Sequence, residues 1–296
     1  MSLKFHKYES IGNDFVLVEE AQVLDWLGGA ASLDAAYPKL ALALCDRNFG
    51  IGSDGLLTYA TDDAKVVMRM FNPDGSEDFC GNGLRCAGLH AKRMGLDVKV
   101  LTLMHRGALV DATFTLGGWI DVGLPRPTFE PTKVPIAEGV GEIYDKPMRV
   151  GNKMVRASSV NVGSTHTVLM VEHAPEEADF LELGPAIEHH EWFPERTSVI
   201  WCWPRDDRFN AFAIRIWERG VGETLGCGTG SAAAASCIFR ERPLVVAEIK
   251  NPGGDCAVAI GPEGTLVTSA KARHVFSGET LTGFPSGIIP AAQDPS

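Results

Sequence analysis

The sequence predicts an α+β fold made of two related half-domains, and three observations carry this reading. A cysteine followed by Gly-x-Gly occurs twice, as Cys80-Gly81-Asn82-Gly83 and as Cys227-Gly228-Thr229-Gly230. Gly12 precedes the first cysteine by 68 positions and Gly163 precedes the second by 64, and each glycine introduces an apolar β-type segment. Gly107 and Gly254 both lie 27 residues beyond their cysteine. A period of about 150 residues is far longer than a solenoid unit and marks a duplicated domain.

The elements follow in chain order. A Gly-Asn-Asp turn at Gly12 leads into a strand over Phe15 to Val18. Apolar periodicity predicts a helix over Leu33 to Cys45, a strand over Val66 to Met70 and a helix over Gly83 to Met94. The Pro125-Arg126-Pro127 segment is the expected junction, so residues 1–125 form the half carrying Cys80 and residues 126–276 the half carrying Cys227. In the second half, a strand over Val168 to Val171 precedes a helix over Glu176 to Glu191. A strand over Phe212 to Trp217 and a helix over Gly230 to Arg240 follow. Many short β segments among few helices give the α+β class.

Bulk composition narrows the function. The 296 residues are 45% hydrophobic and 22% charged, as in a globular chain. A net charge of -11 with no basic block excludes nucleic acid and anionic membrane as partners, because nothing neutralises phosphates. A small molecule is the default partner. No run of about 18 apolar residues exists to span a bilayer. Seven cysteines without a CxxC pair, behind an N-terminus that does not read as a signal or transit peptide, point to reduced thiols in the cytoplasm.

An isolated cysteine is ordinarily a small buried hydrophobe, and Cys45, Cys86, Cys202, Cys237 and Cys256 are read that way. Cys80 and Cys227 differ, because each stands where a glycine loop opens a helix. Free amides and the helix dipole there favour a thiolate or a substrate carboxylate. If the duplicated loops face one another across a cleft between the halves, the two thiols meet in an active site. Two such groups in opposite protonation states can take a proton from one face of a carbon and return one to the other. The amides of Gly81, Asn82, Gly228 and Thr229 would stabilise the carbanion's charge as it spreads onto a carboxylate, so no electron-sink cofactor and no metal is called for. Gly50-Ile51-Gly52-Ser53-Asp54-Gly55 spells GxGxxG, but a strand-like Leu56-Leu57-Thr58-Tyr59 follows, which makes it a turn rather than a dinucleotide site. His189-His190-Glu191 has no metal-ligand spacing with any other pair.

Five blocks, IGNDFVLVE, CDRNFGIGSDGLL, FNPDGSEDFCGNGLRC, FPERTSV and WERGVGETLGCGTG, together resemble the cofactor-independent diaminopimelate epimerases over nearly the whole chain. The resemblance implies inversion of an α-carbon, LL-diaminopimelate giving meso-diaminopimelate on the way to lysine and peptidoglycan, with Cys80 and Cys227 as the catalytic pair. It further implies that Asn13, Asn72, Gly81, Asn82, Glu218, Arg219, Gly228 and Thr229 bind substrate, and that His166 and Glu218 adjust the thiol pKa values. In that family each half is a mixed barrel-like sheet around a central helix and the enzyme is usually a homodimer. The C-terminal tail, from about 277 here, crosses back to the first half, and Phe276 matches an aromatic at the dimer contact. Arg219 offers a planar fork for a carboxylate and Glu218 an acceptor for an ammonium, as an amino-acid end requires.

Departures gather at the substrate's far end. Ser164 and Ser198 stand where the family usually carries amides, Gly55 offers no side chain where some members have Gln, and Asn72 lies one residue closer to Cys80 than is typical. A lost hydrogen-bonding pair alters discrimination by orders of magnitude, so a racemase of another amino acid with the same chemistry is the second reading. A thiol-disulfide redox protein is the third, although redox pairs are commonly close in sequence and these cysteines are 147 residues apart.

Overall fold

The computed structural model describes residues 2–29, 32–62, 65–96, 99–105, 107–206 and 208–280. The chain forms two compact units, one of residues up to Ile120 together with those from Lys271 onward, the other from Asp121 to Ala270. The division thus falls at residue 120 rather than 125, and the chain re-enters the first unit at Lys271 rather than near 277. The expected tail beyond residue 280 lies outside the described residues.

In the first unit, β1 (Lys4–Ser10) and β2 (Asn13–Glu19) form an antiparallel hairpin. Its two-residue turn, Ile11-Gly12, has φ of 50° and 82°, a left-handed pair of the kind that matches strand twist. Two helices follow, α1 (Glu20–Trp26) and α2 (Leu33–Leu44), then β3 (Gly55–Asp62), β4 (Lys65–Phe71), α3 (Gly81–Arg93), β5 (Val100–His105) and β6 (Ala108–Phe114). Strand β2 pairs parallel with β3, β3 antiparallel with β4, β4 parallel with β5, and β5 antiparallel with β6. Helix α3 touches every strand from β1 to β6, so the mixed sheet wraps it like a barrel. That is why ten of its thirteen residues are buried, including Arg85. Helices α1 and α2 pack outside on Val16, Val18 and Leu56 through Val23, Leu40 and Leu44. Helix α1 was not expected, since seven residues directly after a strand leave too little periodicity to read.

Strand β7 (Trp119–Leu124) carries the chain into the second unit, which repeats the plan. Here β8 (Lys146–Val150) and β9 (Lys153–Asn161) precede β10 (Thr165–Met170), α4 (Glu177–Glu188), β11 (Ser198–Pro204), β12 (Ala211–Glu218), β13 (Gly222–Thr224), α5 (Gly228–Glu241), β14 (Val246–Asn251) and β15 (Gly254–Ile260). The sequence β9–β10 antiparallel, β10–β11 parallel, β11–β12 antiparallel, β12–β14 parallel, β14–β15 antiparallel reproduces the pairing of the first unit strand for strand. Helix α5 in turn touches six strands from β9 to β15. Four alanines, Ala232 to Ala235, are all fully buried on it. Side chains this small let a barrel close tightly around its helix. The last strand, β16 (Leu266–Glu279), pairs with β15 over Leu266 to Ser269 and with β1 over Ala272 to Glu279.

Both central helices begin earlier than the apolar pattern suggests, at Gly81 and Gly228 instead of Gly83 and Gly230. Glycines obscure periodicity, and the start is set by what stands before them: Cys80 and Cys227 are themselves the N-cap residues, with extended backbones at φ −142° and −133°.

Candidate active site

Each cysteine uses its sulfur as a cap. Cys80 Sγ accepts the Gly83 amide at 3.3 Å, and Cys227 Sγ accepts the Gly230 amide at 3.2 Å. The capping atom approaches the third helical amide, and at both caps that residue is a glycine packed against an apolar side chain of the sheet. A Cβ on Gly83 would sit 2.8 Å from Leu57 Cδ2, and one on Gly230 would sit 2.8 Å from Ile200 Cδ1 and 3.3 Å from Cys227 Sγ. Helix geometry leaves the opening amides of Gly81, Gly228 and Thr229 with no carbonyl of a preceding turn to donate to. Each unit therefore presents one sulfur beside helix-opening N–H groups.

In the first unit, Cys80 is partly exposed and its Sγ lies 3.9 Å from Asn13 Oδ1, which also accepts Asn82 Nδ2 at 3.5 Å. Asn13 is fixed from behind by donating Nδ2 to Asp54 Oδ2 at 2.8 Å. Arg47 bridges Asp54 and Asp14 at 2.7 and 2.9 Å, and Lys7 pairs with Asp14 at 2.5 Å. Burial raises the Asp54 pKa, whereas for Asp14 the hydrogen bonds from Lys7 and Arg47 outweigh burial and lower it. Asn82 is oriented by Arg85, fully buried, which donates Nη1 to its Oδ1 at 3.0 Å and Nε to the Ile120 carbonyl at 3.1 Å. Cys80, Asn13 and Asn82 thus come together at the start of α3. Asn72, at the end of β4, engages Ser76 Oγ at 3.1 Å within its own turn. Gly55 opens β3 where a Cβ would fall 2.8 Å from the Met70 methyl, so Met70 occupies the space a longer side chain would need.

In the second unit, Cys227 is 6% exposed. Burial first, and the Glu218 carboxylate second, push its thiol pKa well above the ordinary value, against a 3.3 Å contact with Thr229 Oγ1. Its own amide donates to Asn251 Oδ1 at 3.3 Å. Ser164 Oγ contacts His166 Nε2 at 2.9 Å, and His166 is paired in register with Ser198 on the neighbouring parallel strand. Ser198 Oγ accepts the Arg219 amide at 3.1 Å. Burial, then the Arg219 charge, lower the His166 pKa to about 3, so its ring is neutral; its buried Nδ1 has no hydrogen-bond partner among the described residues. Ser164, His166, Ser198 and Arg219 form one connected line, and Glu218 joins it to Cys227.

Glu188 carries no sequence signal for this site. Its buried carboxylate accepts the Trp217 indole at 2.8 Å, the Gly220 amide at 2.8 Å and Arg196 at 3.3 Å. These residues flank Glu218 and Arg219, so a carboxylate from α4 clamps the corner that presents them. Arg85 plays the same part in the first unit, and only the fold shows either.

Two stretches of the chain, residues 5–122 and 158–275, match the family model described as diaminopimelate epimerase. The diaminopimelate epimerase of Caldanaerobacter subterraneus subsp. tengcongensis is 37% identical over 287 residues, covering 94% of this chain and 99% of that protein. One from a Synechococcus strain is 34% identical over 293 residues, covering 94% and 98%. Among solved structures, a PhzF-family phenazine biosynthesis protein from Enterococcus faecalis superposes with a TM-score of 0.68 at 14% identity, over 95% of this chain and all of that one. A hydroxyproline epimerase from Agrobacterium vitis, solved with bound trans-4-hydroxy-L-proline, does so at 0.66 and 12%, over 94% of this chain and 91% of that one. At such identities these two establish the fold alone.

Proposed function

Because the chain belongs to the diaminopimelate epimerase family, we propose that it is an isomerase that interconverts LL- and meso-diaminopimelate by a two-thiol mechanism. The observation that carries this reading is the matched pair of caps: each unit holds one cysteine sulfur 3.2–3.3 Å from the third amide of a buried helix. One sulfur, as thiolate, removes the α-proton; the other, as thiol, delivers a proton to the opposite face. The raised Cys227 pKa fits the proton-delivering role when the substrate enters. Negative charge moving onto the substrate carboxylate meets the amides of Gly81, Asn82, Gly228 and Thr229, where helix N-termini favour an anion. Arg219 and Glu218 recognise the charged amino-acid end, with Asn13, Asn72 and Asn82 as amide partners. His166 and Glu218 set the protonation of the second thiol.

A second reading keeps this chemistry with another amino acid. It is favoured by Ser164 and Ser198, short hydroxyls already engaged by His166 and Arg219, and by Met70 filling the space at Gly55. All seven cysteines are thiols and no helix among the described residues is long and apolar enough to cross a membrane, which supports a reduced, cytoplasmic setting. Phe276, 46% exposed against Phe5, supports a homodimer contact.

The test is incubation in heavy water, without pyridoxal phosphate, with LL-diaminopimelate and with single-centre amino acids in parallel. Deuterium incorporation with inversion of LL-diaminopimelate, lost in Cys80→Ala and Cys227→Ala, is expected. Inversion confined to a single-centre amino acid would establish the second reading, and full activity in either variant would overturn the mechanism.

A further inference from the structure

On the first unit, away from Cys80, three side chains from β1, β2 and α3 converge: His6, Glu19 and His90. His90 Nε2 stands 3.4 Å from Glu19 Oε1, His6 Nε2 stands 3.8 Å from the same oxygen, and all three ligand atoms lie within 4.8 Å of one another. Donors about 2.1 Å from one tetrahedral ion are about 3.4 Å apart, the separation that His90 Nε2 and Glu19 Oε1 already have. We propose that His6, Glu19 and His90 form a binding site for a zinc-like divalent cation, unrelated to the thiol chemistry.

Two further observations point to an ion. His90 is 1% exposed, and its buried Nε2, 3.4 Å from Glu19 Oε1, makes no hydrogen bond among the described residues. A buried nitrogen left so is costly unless something occupies it. The opposite nitrogens are held as metal-ligating histidines require. His90 Nδ1 contacts Tyr8 Oη at 3.0 Å, His6 Nδ1 contacts Ser277 Oγ at 2.7 Å, and Ser277 in turn contacts His274 Nε2 at 2.9 Å. Both Nε2 atoms are thereby fixed toward Glu19. Two imidazoles and one carboxylate form a ligand set suited to Zn²⁺. Access is supplied by a surface pocket of about 420 Å³ lined by His6, Glu19, Gln22 and Ser277, toward which a fourth coordination position would open. Arg93 supplies an opposing positive charge nearby, so the Glu19 carboxylate decides whether a dication is held.

The experiment titrates Zn²⁺ into chelator-treated wild-type protein by calorimetry, beside His6→Asn and Glu19→Gln. Both positions are partly exposed, unlike buried His90, so these variants should fold. X-ray absorption of the loaded protein then identifies the donors. Expected is one saturable equivalent per chain with nitrogen and oxygen donors only, and about tenfold or greater weakening in each variant. Zinc bound through sulfur, binding unchanged in both variants, or no saturable binding would each overturn the site, whatever the enzyme's substrate proves to be.

Discussion

Gly230 donates its backbone N–H to Cys227 Sγ at 3.2 Å, and a Cβ at Gly230 would crowd both that sulfur and Ile200. An alanine methyl there would lie 2.8 Å from Ile200 Cδ1 and 3.2 Å from Cys227 Cβ. Gly230→Ala must therefore displace the sulfur or Ile200. Proton transfer between positioned groups loses about a hundredfold for a shift on the order of 1 Å. Steady-state kinetics should show kcat down by roughly that factor with KM little changed. An unaltered kcat in a folded Gly230→Ala enzyme would show that this cap does not place the reacting sulfur.

Glu218 sits where its charge opposes ionisation of Cys227, second only to burial. Removing a nearby negative charge favours the thiolate, so Glu218→Gln should lower the thiol pKa. At fixed pH the variant should be alkylated by iodoacetamide faster at Cys227, with its rate–pH curve displaced to lower pH. Peptide-resolved mass spectrometry reads this at Cys227 separately from the other six cysteines. A curve that stays in place, or moves to higher pH, would remove Glu218 from control of that thiol.

The two cysteine caps on which the proposed chemistry rests were legible because they are local. Each cap, its glycines and the preceding Glu218-Arg219 or Asn72 corner lie within about ten residues of their cysteine, and duplication printed the pattern twice. What holds those corners was not legible. Glu188 reaches Trp217 and Gly220 from 29 and 32 residues away, and Arg85 reaches Ile120 across 35. His6, Glu19 and His90 have no spacing in common, because a helix inside a barrel meets strands distant in sequence. Likewise β16 reads as one continuous strand, and only pairing shows that its two ends serve different units.

Glu188 makes the strongest case for a residue acting through others. Its replacement by alanine removes the carboxylate that accepts from the part-buried Trp217 indole and from the Gly220 amide, and a hydrogen bond to a charged group contributes about 1.5–3 kcal/mol. Urea denaturation should show a loss of about 2 kcal/mol or more. Because the Glu218-Arg219 corner loosens, KM should also rise more than kcat falls. Glu188→Gln, which keeps an accepting oxygen, should restore most of the KM. Loss of stability with an unchanged KM would confine Glu188 to a structural role.

His166 sets an acid limit on the fold. Its pKa is about 3 in the folded chain against 6.5 for an ordinary histidine, so between those pH values the unfolded chain binds the proton that the folded chain refuses. Stability rises with pH wherever the unfolded state holds more protons, so this group makes stability fall as pH drops from 6.5 toward 3. The slope is up to about 1.4 kcal/mol per pH unit. His90, with a folded pKa also near 3, acts in the same direction, so its contribution must be common to both proteins compared. Urea midpoints for wild type and His166→Gln, measured from pH 7 down to pH 4 with chelator present, isolate His166. The wild-type profile should be the steeper of the two, with the curves converging toward acid. Parallel profiles would mean that His166 titrates alike in the folded and unfolded chain, and the depressed pKa assigned to it beside Arg219 would be wrong.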